Sequence, residues 1–267
     1  MTDARTLPTP TGGSLHAAVD DTVTMLWRDL IRTARQPEML VFAVVMGSFF
    51  LVLFNYVFGG AIGAGAEVDY LQFLVPGVFV ITALQGAQQT SMGFAADLAE
   101  GVTDRFRSLP MSQFAVIAGR TLADAARNVI GLILVAALAL AMGYRFDSLW
   151  GAVAAIAVTI AIGFAFSWLG AAIAAKVRQP DMVGMLSMFW LFPLMLASTA
   201  FTPADTMPGW LRPVAANQPI SVAADAVRGL CEGTSDAADL LVTATWTIGL
   251  LAVFVPLSTR LYTKDAS

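Results

Sequence analysis

Charged residues are missing from six long stretches of this chain, and those gaps set its architecture. No Asp, Glu, Lys or Arg occurs in residues 39–66, 70–96, 128–144, 148–175, 182–204 or 240–259. A helix needs roughly 20 apolar residues to cross a hydrocarbon core about 30 Å thick, so each gap predicts one membrane span. The spans fall at about 39–59, 72–95, 124–144, 149–174, 182–203 and 239–259. The expected fold is an all-α integral membrane protein with six transmembrane helices: a disordered tail over 1–14, then a single transmembrane domain over 15–267. Shorter uncharged stretches do not compete. Residues 6–19 are rich in Thr, Pro and Gly and end near His16, a composition that suits disorder. Residues 108–119 and 213–224 are too short to cross and contain Pro110, Pro213 and Pro219, which suits cytoplasmic or interfacial segments.

The polar flanks carry their own periodicity. Leu15, Val19, Val23, Leu26 and Leu30 share one helical face, with Arg28, Arg32 and Arg35 on another, before Pro37 breaks the pattern. This predicts an amphipathic helix lying in the membrane interface, with packing on a soluble partner as the alternative. Ahead of span three, Arg120, Asp124 and Arg127 are spaced four and three apart, so they can pair along a helix that projects beyond the span, with Arg127 reaching back to the headgroups. Between spans five and six, residues 205–239 hold Pro208, Trp210, Pro213, Pro219 and a helical set at Ile220, Ala223, Val227 and Leu230. Short re-entrant or interfacial helices fit that pattern, and a plain outer loop is the other reading.

Composition agrees with the gaps: 57 % of residues are hydrophobic and 13 % charged, against about a quarter charged in soluble domains. The placement of basic residues orients the chain. Arg5, Arg28, Arg32, Arg35, Arg105, Arg107, Arg120, Arg127, Lys176, Arg178, Arg260 and Lys264 lie on one side of the spans, leaving Arg145, Arg212 and Arg228 on the other. The positive-inside rule then expects a multi-pass cell-membrane protein with both termini cytoplasmic. No cleavable signal peptide is expected, because the first apolar run already has spanning length.

Missing chemistry narrows the function. The six gaps hold no ionisable group for a proton relay, the one histidine is His16, and the one cysteine, Cys231, can form neither an internal disulfide nor a metal cluster. A P-loop needs Lys before Ser or Thr, whereas Lys176 and Lys264 precede Val177 and Asp265. Nucleotide binding in this chain is therefore not expected, and no cofactor or metal of its own. What remains is a polar cluster in span two, Gln85, Gln88, Gln89, Thr90 and Ser91, opposite a span five rich in Met and aromatic residues. Amides in lipid face other helices or a cavity, and Met with aromatics makes an adaptable apolar surface. Gln85, Gln89, Met92, Met185, Phe189 and Phe192 are the candidate substrate-path residues; helix glue and bundle filling are the competing roles.

Two segments carry a family likeness. Between spans two and three the chain reads Asp97 to Ser112 through Glu100, Gly101, Asp104, Arg105, Phe106, Arg107 and Pro110, then Gly119-Arg120 and Ala123-Asp124. Before the last span it reads Thr206 to Pro213, then Asn217-Gln218-Pro219 and Val227-Arg228-Gly229. With six spans in the right places, from about Trp27 to Leu261, the chain resembles the ABC-2 type permeases of ABC transporters, particularly the daunorubicin/doxorubicin-resistance subfamily. It departs from the common pattern at Val102 and Gln113. The resemblance implies a transmembrane permease subunit, not an enzyme by itself, of an ATP-driven exporter of drugs, antibiotics or lipids. It implies two copies of a separate ATP-binding subunit that holds ATP and Mg, and a second permease half as homodimer or heterodimer. Glu100, Gly101, Asp104, Arg105, Phe106, Arg107 and Pro110 would then couple to the ATPase, while Pro208, Trp210, Asn217, Pro219 and Arg228 would belong to an outer gate segment. Charges of both signs around one aromatic suit a polar-rimmed contact with an apolar anchor. Export of polysaccharide or glycolipid is the nearest alternative; a non-transporting scaffold or a six-span membrane enzyme comes after it.

Overall fold

The computed structural model describes residues 21–27, 31, 45, 47–57, 69–100 and 113–264. Among these, regular structure is helical, with no strand. We label the helices α1 (Gly47–Val57), α2 (Tyr70–Ala99), α3 (Gln113–Ala141), α4 (Leu149–Val177), α5 (Pro180–Leu196), α6 (Arg212–Asn217), α7 (Pro219–Glu232) and α8 (Ala237–Lys264). Among the described residues, α2, α3, α4 and α8 are long and apolar enough to cross a membrane, and α1 and α5 are shorter apolar helices.

Local signals start and stop these helices. The Asp69 carboxylate accepts from the Leu71 amide at 3.1 Å to cap α2, and the Ser148 hydroxyl accepts from Gly151 at 3.0 Å to cap α4. Pro180 and Pro219 sit in the first turns of α5 and α7, where a missing N–H costs nothing.

Apolar helices consecutive in the chain alternate in direction. Near the start of α1, Gly47 lies against Thr82 and Val135, and further along Phe54 stacks on Phe201 at 4.4 Å between ring centroids. Tyr70, opening α2, donates to the Phe201 carbonyl at 3.0 Å, so α2 starts where α1 ends and runs back. Helix α2 is the central post, touching α3, α4, α5 and α7. Of its most apolar window 78 % is buried, against 11 % for α8, whose surface faces outward. Leu74, Val75, Phe79, Leu132, Val135 and Ile162 form the core between α2, α3 and α4.

Two stretches depart from the sequence expectation. The uncharged run through residue 204 predicts span five to about 203, yet α5 ends at Leu196. Pro193 withholds one helical N–H there, and the Ser198 hydroxyl turns back onto the Met195 carbonyl at 2.6 Å. Residues 197–203 continue as turns, with Ala200 and Phe201 buried. Protein covers much of this irregular backbone. Arg127 is the second: its guanidinium is held against the bundle, donating to Thr90 of α2 at 3.0 Å as well as to Asp124 at 2.7 Å. Of the proposed amphipathic helix, residues 21–27 are helical, with Met25 buried against Gly119 and Val23 exposed.

Candidate functional site

A cleft of about 320 Å³ opens between α1, α2 and α5. One wall is the α2 face Ile81, Leu84, Gln85, Gln88 and Gln89, whose spacing keeps them on one side of a helix; Phe50 of α1 and Met188, Leu191, Phe192 and Met195 of α5 complete it. The volume is at the lower end of drug-sized pockets, and three amides on an otherwise apolar wall give orientation without fixed charge. Gln88 reaches the Gly184 carbonyl at 3.5 Å, a weak tie across the cleft.

The structure thus brings Gln85, Gln89 and Phe192 to one cleft. Met92 rests instead on α5 beside Gly184. Met185 and Phe189, 69 % and 82 % exposed, point away from the bundle on the outer face of α5. Gln88, Met188, Leu191 and Met195 are additional lining residues; the three-residue step from Gln85 is the signal that could have found Gln88, and α5 offers no such signal.

At the end of the bundle where α2 begins, a knot ties α7 to α2 and to the turn after α5. Arg228 forms an ion pair with Asp225, donates to the Phe73 carbonyl at 3.2 Å and the Thr199 carbonyl at 3.2 Å, and lies 3.8 Å from the Phe73 ring centroid. The Thr199 amide donates to the Ser221 hydroxyl at 3.0 Å, and Gln218 donates to the Leu194 carbonyl at 2.7 Å. Burial pushes the Asp225 carboxyl above its ordinary range, while Arg228 and the Thr199 hydroxyl pull the other way. Gly77 passes so close to the Ala200 carbonyl that any side chain there would overlap it. Elsewhere between α5 and α8, the Pro208 carbonyl accepts from Leu211 at 2.9 Å, Asn217 donates to the Pro213 carbonyl at 2.8 Å, Pro219 opens α7, and Trp210 is exposed. Cys231 is buried, which pushes its thiol up to about 11 and keeps it unreactive at neutral pH.

The opposite end of α2 is tied by charge. Asp97 pairs with Arg120 of α3, Arg127 donates to Asp124 at 2.7 Å, and the Ser167 hydroxyl of α4 donates to Asp124 at 2.9 Å. Glu100 closes α2, its amide donating to the Ala96 carbonyl at 2.9 Å. Gly101, Asp104, Arg105, Phe106, Arg107 and Pro110 lie outside the described residues. Among the described residues no group of acidic, His or Cys side chains could hold a metal ion.

Residues 20–231 match the family described as ABC-2 type transporter. The chain is 39 % identical over 246 residues, 92 % of its length and 87 % of the relative's, to the daunorubicin resistance ABC transporter permease protein DrrB1 of Streptomyces coeruleorubidus. It is 27 % identical over 262 residues, 94 % and 92 % of the two chains, to the probable doxorubicin resistance ABC transporter permease protein DrrC of Mycobacterium tuberculosis. The putative transport permease ycf38 of Cyanophora paradoxa is 21 % identical over 222 residues, 81 % and 76 % of the two chains. Four helices fit to cross a membrane among the described residues, a cleft lined by no charged side chain, and a match over most of the chain lead to one assignment: this protein belongs to the ABC-2 type transporter family.

Proposed function

We propose that this chain is the transmembrane permease subunit of an ATP-driven exporter of hydrophobic or amphipathic small molecules. The observation that carries the reading is the uncharged cleft between α1, α2 and α5, lined by three glutamines and by Met and aromatic side chains, in an ABC-2 type chain. A ligand with an apolar body and a polar edge fits such walls, since the amides hydrogen-bond the edge and the thioethers adapt to the body.

The remaining parts follow. Helices α1 and α5 complete six spans with α2, α3, α4 and α8, α5 being continued through the membrane by the buried turn at 197–203, and both termini are cytoplasmic. Two ATP-binding subunits supply ATP and Mg and engage the segment from Glu100 to Pro110, with Arg105 and Phe106 at its centre. Binding of ATP then biases a two-state equilibrium of the helices, exposing the cleft to one side or the other. A second permease half covers the apolar faces of α1 and α5, where Phe49, Tyr56, Met185 and Phe189 are exposed.

Inverted membrane vesicles carrying this chain and its ATP-binding subunit test the reading, with daunorubicin fluorescence as the probe because relatives are named for resistance to it. ATP-dependent quenching that needs both polypeptides, and that weakens in Gln85→Leu/Gln89→Leu, is the expected result. Quenching unchanged by the double substitution removes these glutamines from the path. Uptake by the lone chain contradicts the separate motor.

A further inference from the structure

Two different faces of α2 do two different things. Ile81, Leu84, Gln85, Gln88 and Gln89 line the cleft. On the other side, Gly86, Thr90, Gly93 and Asp97, spaced four, three and four apart, each receive a polar side chain from α3. Asn128 fills the space over Gly86 and donates to the Ala83 carbonyl at 3.4 Å. Arg127 donates to Thr90, Arg120 lies over Gly93, and Arg120 pairs with Asp97. The helices are antiparallel, so this is a continuous polar seam, and Ser167 extends it through Asp124 to α4. At 3.6 residues per turn the two faces of α2 are roughly 140° apart.

Stability alone does not account for such a seam. Side-chain exposures are 2 % for Asp124 and 6 % for Asp97, and taking ions out of water costs enough that matched apolar residues would hold the helices at least as well. A line of directional pairs does something apolar packing does not: it prevents one helix from sliding or rolling on the other, because every pair would have to break together. We infer that Asp97, Arg120, Thr90 and Arg127 are positioning residues for transport, making α2 and α3 turn as one body so that movement delivered where they connect re-aims the glutamine face. This rests on the permease reading, which supplies that movement.

The experiment uses the full chain assembled with its ATP-binding subunit in proteoliposomes, in a Cys231→Ser background. Ala96 lies on the same side of α2 as Gln85 and Gln89 without lining the cleft, so Ala96→Cys reports how that face turns when a water-soluble maleimide is applied with and without ATP and vanadate. With the seam intact, nucleotide changes the labelling rate severalfold. In Asp97→Asn/Arg120→Gln/Thr90→Val the change is lost while ATP hydrolysis continues, which a loss of folding would not allow. Should that variant fail to insert, the swap Asp97→Arg/Arg120→Asp decides, since it restores the pair and with it the nucleotide response. A neutral variant that keeps the response, a folded swap that lacks it, or an intact seam with hydrolysis but no change at position 96 overturns the inference. An intact seam with no hydrolysis in the assembled complex overturns the permease reading beneath it.

Discussion

The two ends of α2 are anchored by different chemistry. Where it begins, Arg228 and Tyr70 bond to backbone carbonyls, and Gly77 lies flat against the Ala200 peptide. Towards its other end, the ties join side chain to side chain: Asp97 to Arg120 and Thr90 to Arg127. Backbone acceptors are fixed by the fold, so the first kind of contact sets geometry and cannot exchange partners. Side-chain pairs instead bind this end of α2 to α3, so that the two helices move together. A helix fixed to backbone at one end and carried with α3 at the other behaves as a lever, and the cleft sits between its two ends.

Substitutions break this comparison in graded ways. Gly77→Leu has the largest expected effect, because its side chain meets backbone that cannot yield; a loss of about 3 kcal/mol or more, read as unfolding in detergent, is expected. Next, Asp225→Leu/Arg228→Met is expected to cost about 2 kcal/mol, since removing the ion pair also strips donors from the Phe73 and Thr199 carbonyls. The corresponding change at the other end, Asp97→Leu/Arg120→Met, is expected to stay within about 1 kcal/mol, because both charges leave together. Equal losses at the two ends would erase the distinction. Trp210→Ala is the smallest: at 76 % exposure the ring packs on little, and thermal stability is expected to move by less than about 0.5 kcal/mol.

Much of this was legible from where charge is absent, because lipid excludes unpaired ions from any helix it surrounds. The long helices α2, α4 and α8 each span an uncharged gap for that reason, with their charges, Asp97, Lys176, Asp239, Arg260 and Lys264, confined to the ends. The end of α5 was hidden: residues 197–203 are as uncharged as a span, and only the pairing of Thr199 with Ser221, 22 residues away, shows why the chain turns. The glutamines shared a visible face, but α5 is apolar all round, so its pattern could not distinguish Met188 and Leu191, which line the cleft, from Met185 and Phe189, which point outward. Helical spacing suggested that Arg120, Asp124 and Arg127 pair along α3; the Asp97–Arg120 pair joins two helices across a connection and leaves no local periodicity.

Distances between spin labels in the assembled complex test the lever most directly. Labels at Glu100→Cys and Lys176→Cys report the charged end, and labels at Gln72→Cys and Glu232→Cys report the knotted end, all in a Cys231→Ser background. With ATP and vanadate the first distance is expected to shift and the second to stay as it is without nucleotide. A shift confined to the Gln72–Glu232 pair, or none at the Glu100–Lys176 pair while ATP is hydrolysed, would contradict the account.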